Sequence, residues 1–127
     1  MSVLLQPQST QAERAVVVTK AVLRAADAMG LTAKRLAAVI GVSEPTVSRM
    51  KGDAFRLDPD GKPYELAVLL IRVFRSLDAI AGGDAAVLRH WLANPNTALG
   101  GRPLDKIQTI AGLIDVLAYL DARRALV

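Results

Sequence analysis

Two short helices must meet at a sharp angle between Ala33 and Gly52, and few residue patterns permit it. Such a crossing needs a small residue at the point of contact and a turn residue that accepts positive φ. Ala37 supplies the first and Gly41, four residues later, the second, while Val42 plugs the corner. Leu36 and Ile40 face inward from the first helix, and Val47 and Met50 from the second. Thr32 and Ser43 stand where N-caps are wanted, and Gly41 and Gly52 where the helices stop. The spacing leaves Glu44, Pro45, Thr46, Ser48, Arg49 and Lys51 on the open side of the second helix or at its edges. Hydroxyls there suit phosphates or base edges, and an arginine can grip guanine O6 and N7 at once. We read the pair as a helix-turn-helix whose DNA-facing candidates are Lys34, Ser43, Glu44, Thr46, Ser48, Arg49 and Lys51. Arg49 meets either a base or a phosphate on this reading, and Lys34 and Arg35 either meet phosphate or do nothing. Glu44 is better placed to favour its own helix N-terminus than to accept from a cytosine amine.

The rest of the chain also reads as helices. Thr10-Gln11-Ala12-Glu13 is a capping box, and apolar positions Ala15, Val18, Val22, Ala25, Ala26 and Met29 follow it to a stop at Gly30. Asp58-Pro59-Asp60-Gly61-Lys62-Pro63 is the strongest breaker, so the module boundary is placed there: a DNA-binding head over 10–60 and a second module over 63–127. Pro63 suits the first turn of a long helix to about Ile80, which Gly82 and Gly83 stop. Asp84 caps a helix through Trp91-Leu92, and a Pro- and Gly-bearing loop runs from Asn94 to Arg102. Pro103-Leu104-Asp105 opens one short turn, and Thr109 caps a last helix to about Arg124. No stretch alternates with a period of two over a strand's length, so the expected class is all-α. Residues 1–9 carry a Pro and no period and read as a loose arm.

Charge supports a nucleic-acid head. Up to Arg56 there are eight Lys/Arg against four Asp/Glu, whereas from Leu57 onward there are eight of each. The positive excess therefore lies wholly in the first half, as a phosphate-binding module joined to a neutral partner-binding one would show. The apolar fraction of 52% is high for a short chain and suggests surface kept for another protein. Leu66, Val68, Leu69, Leu70, Ile71, Val73 and Phe74 run nearly all round one helix, which points to a homodimer seam. There is no cysteine and a single histidine, His90, with no nucleophile placed to pair with it. Metal-ligand spacing and phosphate-cradling glycine loops are absent from the pattern, so we expect a binding protein with no cofactor, not an enzyme. The opening residues lack a signal-peptide pattern, and Arg72, Arg75 and Asp78 interrupt the longest apolar stretch. The expected setting is the cytoplasm, without membrane contact.

Leu31 to Gly52 resembles the Xre-type helix-turn-helix. The segment Trp91-Leu92-Ala93-Asn94-Pro95-Asn96-Thr97-Ala98-Leu99-Gly100-Gly101-Arg102-Pro103-Leu104-Asp105 is similar to the toxin-binding domain of Xre/MbcA/ParS antitoxins. With its flanking helices the resemblance covers about residues 12–127. It implies a homodimeric antitoxin that covers the NAD cleft of a RES-domain toxin encoded by the adjacent gene, and that represses its own operon through operator DNA. Family members often close with a glycine after the final helix, whereas this chain reads Ala122-Arg123-Arg124-Ala125-Leu126-Val127.

Taken on its own residues, Asn94-Pro95-Asn96 is a turn, because the residue before a proline is pushed out of the helical region. Trp91 is expected as a core anchor. Arg102, Arg123 and Arg124 read either as solvated helix-end cations or as groups entering a toxin's phosphate pocket, with Leu126 and Val127 adding apolar grip. The toxin-binding candidates are therefore Asn94, Asn96, Arg102, Arg123, Arg124, Leu126 and Val127, within a motif over about 84–127 that is expected to silence a toxin by itself. A stand-alone repressor using the second module only to dimerise is the competing reading.

Overall fold

A computed structural model describes residues 10–126. The expected arm over 1–9 and the candidate Val127 lie outside the described residues. The described residues form seven helices and no strand: α1 (Gln11–Met29), α2 (Ala33–Ile40), α3 (Glu44–Lys51), α4 (Lys62–Ile80), α5 (Ala85–Ala93), α6 (Pro103–Lys106) and α7 (Ile110–Arg124). The chain is all-α, a helix-turn-helix followed by a helical C-terminal part.

Local chemistry sets the helix ends. The Thr10 hydroxyl accepts from the Glu13 N–H at 3.0 Å while the Glu13 carboxylate accepts from the Thr10 N–H at 3.0 Å, so the capping box closes reciprocally. Those bonds hold the Glu13 carboxyl below its ordinary range, the one from the Thr10 backbone contributing most. Thr32, Ser43, Asp84 and Thr109 each accept a first-turn N–H at α2, α3, α5 and α7. Gly41 ends α2 at φ 76°, a left-handed conformation that a side chain would strain. Ala37 beside it is buried, as a close crossing requires.

Packing centres on α4, which lies against α1 and α2 on one side and α7 on the other. Leu36, Ile40, Val47 and Met50 from the head share one unbroken core with Leu70, Leu77, Leu113, Val116 and Leu120. The breaker at 58–63 is therefore a turn over a continuous core. α4 and α7 run parallel: Leu66 and Leu69 approach Ile110 at one end, and Ser76 donates to Asp121 at 2.8 Å toward the other. Their connection, α5 and α6, is tied back to the head at two points. Arg89 donates to the carbonyls of Ala28 and Asp27, both at 3.0 Å, and so adds a cation to the C-terminal end of α1 that Gly30 already caps. Arg35 reaches Asp105 at 3.3 Å and the Leu104 carbonyl at 3.5 Å. Gly112 lets α7 start against α6, since a Cβ there would collide with the Lys106 carbonyl.

Three details depart from the periodicity. In the middle of α1, Thr19 is buried and Val18 only partly so, because the Thr19 hydroxyl accepts the buried Leu57 N–H at 2.9 Å. α5 ends at Ala93, one residue beyond the expected Leu92. Trp91, expected as a core anchor, is half-buried at the rim and stacks on Tyr119, with ring centroids 6.1 Å apart.

Candidate functional site

The open face of α3 is the first candidate surface. Ser43 caps the helix: its Oγ accepts the Thr46 N–H at 3.2 Å and lies 2.9 Å from Thr46 Oγ1. Thr46 is buried at 9% exposure, which places it at the edge of the open side and not on it. The cause is local, since the exposed side chains of Ser43 and Arg49 cover its hydroxyl, which lies 2.9 Å from Ser43 Oγ and accepts from Arg49 Nη2 at 3.0 Å. Ser43, Glu44, Ser48, Arg49 and Lys51 are exposed together on α3 and its cap, and Lys34 is exposed on the first turn of α2. Arg35 is committed elsewhere, in the ion pair with Asp105. After α3 the chain doubles back: the Ala54 N–H reaches the Arg49 carbonyl at 2.8 Å and Asp53 takes φ 60°. That return brings the Phe55 ring to 5.9 Å from the Arg49 guanidinium carbon. Nothing in the apolar periodicity signals Phe55, which lies past the end of α3 and belongs to no helical stripe.

The second candidate surface lies on α5, its following loop and α7. Asn94 Nδ2 donates to the His90 carbonyl at 2.6 Å, and the Asn96 side chain accepts the Leu99 N–H at 3.2 Å. Asn96 and Gly101 also exchange backbone hydrogen bonds, so the loop closes on itself over the buried Leu99. Both asparagine side chains thus serve the loop's shape, as local Asn bonds commonly do. Arg102 grips Asp105 with two nitrogens, at 2.8 and 3.0 Å. The pairing raises the Arg102 pKa and holds the Asp105 carboxyl below its ordinary range, Arg102 contributing most and Arg35 adding to it against some desolvation. Arg123, Arg124 and Leu126 are exposed at the end of α7, and Leu126 is 85% accessible. Arg123 lies over the Tyr119 ring at 5.0 Å, which extends the Trp91–Tyr119 stack to a cation. Tyr119 was missed as a site residue because its position on α7 reads as ordinary core edge.

A third feature is apolar. Tyr64, Leu66, Val68, Leu69 and Ile110 line an open groove along α4 and the start of α7. Ile110 and Ile114, one turn apart, are 59% and 45% exposed beside it. Among the described residues no group of three His, Cys, Asp or Glu side chains could hold a metal ion, and no helix is long and apolar enough to cross a membrane.

Two family models match this architecture. Residues 8–72 match the antitoxin Xre-like helix-turn-helix domain, and residues 76–125 match the antitoxin Xre/MbcA/ParS C-terminal toxin-binding domain. No curated protein matches the chain in sequence. The matches meet inside α4, the helix that both halves use. With just over half of its length covered by the first model alone, the chain belongs to the Xre-like helix-turn-helix antitoxins.

Proposed function

We propose that this antitoxin silences a RES-domain toxin encoded by the adjacent gene by covering its NAD-binding cleft, and that it represses its own operon as a homodimer on operator DNA in the cytoplasm. The observation that carries the reading is the pairing, over one continuous core, of an exposed α3 face bearing Ser48, Arg49 and Lys51 with a matched toxin-binding domain. Arg49 and Ser48 serve base edges or phosphates, Lys34 and Lys51 serve phosphates, and Ser43 and Glu44 order the N-terminus of α3. On the toxin side, Arg123 and Arg124 enter the cleft, with Tyr119, Trp91 and Leu126 giving apolar contact at its rim. Asn94 and Asn96 shape the neighbouring loop, and Arg102 is its cation. The groove along α4, with Ile110 and Ile114, is the homodimer seam: a small monomer gains by burying such a patch, and a two-fold partner offers the same surface in return. The protein acts by binding, not as an enzyme, and needs no cofactor.

The test is co-expression with the neighbouring toxin, reading cellular NAD, for the wild type and for an Arg123→Glu/Arg124→Glu variant. The wild type should preserve NAD and the variant should lose protection, while both retard operator DNA with the same steep salt dependence. Full protection by the variant would move the cleft contact to the Asn94–Arg102 loop. A wild type that fails to protect would leave only the repressor activity.

A further inference from the structure

We propose that Phe55 and Arg49 form one reading head for a guanine flanked by a thymine, with Arg49 taking the guanine and Phe55 the thymine methyl. This rests on the operator-binding reading of α3 and adds the base step that it reads.

Several observations converge on this pair. Arg49 is exposed on the outer face of α3, and a helical side chain leans toward its own N-terminus. Its Nη2 donates to Thr46 Oγ1 at 3.0 Å, so the guanidinium is held beside the first turn, the part of a recognition helix that enters the major groove. Thr46 can act as that anchor because it is buried and fixed in turn by Ser43, 2.9 Å away. On the other side stands Phe55, 5.9 Å from the guanidinium carbon. Phe55 is 37% exposed, so part of its surface stays free for a partner.

The backbone places the ring deliberately. Asp53 adopts φ 60°, rare for a residue other than glycine, and the 2.8 Å bond from the Ala54 N–H to the Arg49 carbonyl turns the chain back along α3. Without that reversal Phe55 would leave the helix end and never meet Arg49. An arginine held at one nitrogen and faced by a ring loses little rotamer freedom on docking, so its other nitrogens present a preset fork to guanine O6 and N7. The exposed side of the ring beside it offers apolar surface, and the one apolar group that the major groove displays is the thymine C5 methyl. A guanine next to a thymine is the step that satisfies both side chains.

The experiment uses the full chain and a randomised duplex library. Wild type, Phe55→Ala and Arg49→Lys are each taken through rounds of selection, and the winning duplex is then remade with deoxyuridine at the thymine, which removes only the methyl. The wild-type motif should contain the guanine–thymine step in each half-site. Deoxyuridine should weaken wild-type binding about fourfold per contacted methyl, the change expected for about 0.8 kcal/mol at 1.4 kcal/mol per decade. Phe55→Ala should bind thymine and deoxyuridine duplexes equally and keep the guanine preference, whereas Arg49→Lys should lose the guanine preference. A melting curve for Phe55→Ala matching the wild type would exclude a folding defect, as its exposure leads us to expect. A wild type that selects a motif but is indifferent to the methyl, or a Phe55→Ala protein that still senses it, would overturn the proposal and leave operator binding intact. Selection of no motif, with no salt-sensitive binding to any duplex, would overturn both.

Discussion

Replacing Thr19 by valine should loosen the connector behind α3 at a cost that can be worked from its surroundings. Thr19 is 3% exposed and Leu57 1% exposed, and the Thr19 hydroxyl accepts the Leu57 N–H at 2.9 Å. Valine keeps the shape and removes the acceptor, leaving a buried N–H unpaired at about 1–3 kcal/mol. The methyl that replaces the hydroxyl returns up to about 0.8 kcal/mol of apolar burial. The net loss is about 0.2–3 kcal/mol, and its midpoint of about 1.5 kcal/mol is roughly 4–8 °C in Tm for a chain of this length. Thr19→Ser is the control, because it keeps the acceptor and gives up only a methyl, about 0.5–1.5 kcal/mol. Thermal melting alone does not separate the two, since both lower Tm; amide exchange at Leu57 does. Protection of the Leu57 amide should collapse relative to the global value in Thr19→Val and persist in Thr19→Ser. A Thr19→Val protein that melts within about a degree of wild type, with the Leu57 amide still protected, would refute the reasoning.

Two further outcomes are expected. If the proposed seam holds, the wild type sediments as a dimer at micromolar concentration and Ile110→Glu as a monomer, with little loss of helicity because Ile110 is already 59% exposed within one chain. Asp105 has a folded pKa below its unfolded one, so its contribution is complete above the ordinary carboxylate value and declines as pH falls through the lower folded value. The loop carrying Arg102 should therefore gain mobility by NMR only below about pH 4, and Asp105→Asn should show that mobility at neutral pH.

The head was legible because its signals are local. Caps at Thr10, Thr32 and Ser43, the stop at Gly41 and the inward set Leu36, Ile40, Val47 and Met50 each act within a turn or two of chain. The short turn from Pro103 and the cap at Thr109 were readable for the same reason. What escaped depends on neighbours distant in sequence or on chain reversal. Thr19 is polar yet buried because of a partner 38 residues away, and Arg35 faces Asp105, 70 residues away. Phe55 joins Arg49 through the left-handed turn at Asp53, a conformation that aspartate tolerates but does not dictate. Thr46 sits at the edge of the open face with its hydroxyl occupied, because Ser43 and Arg49 both bond to it.

The sharing of α4 has a mechanical consequence. Neither half owns a complete interior: residues 84–127 cut away from α4 would leave Leu113, Val116, Leu117 and Leu120 facing water, and the head without α4 would lose the cover over Leu36 and Ile40. The helix therefore works as a common axle, and the surface that meets a duplex and the surface that meets a toxin are set at one phase about it. A residue inserted at mid-axle would turn one surface against the other by about 100° and push them about 1.5 Å apart. On the proposed function, an antitoxin built this way would present every toxin it holds at one fixed bearing to the DNA beneath it, so the spacing of operator half-sites would also decide whether neighbouring toxins collide or stand clear.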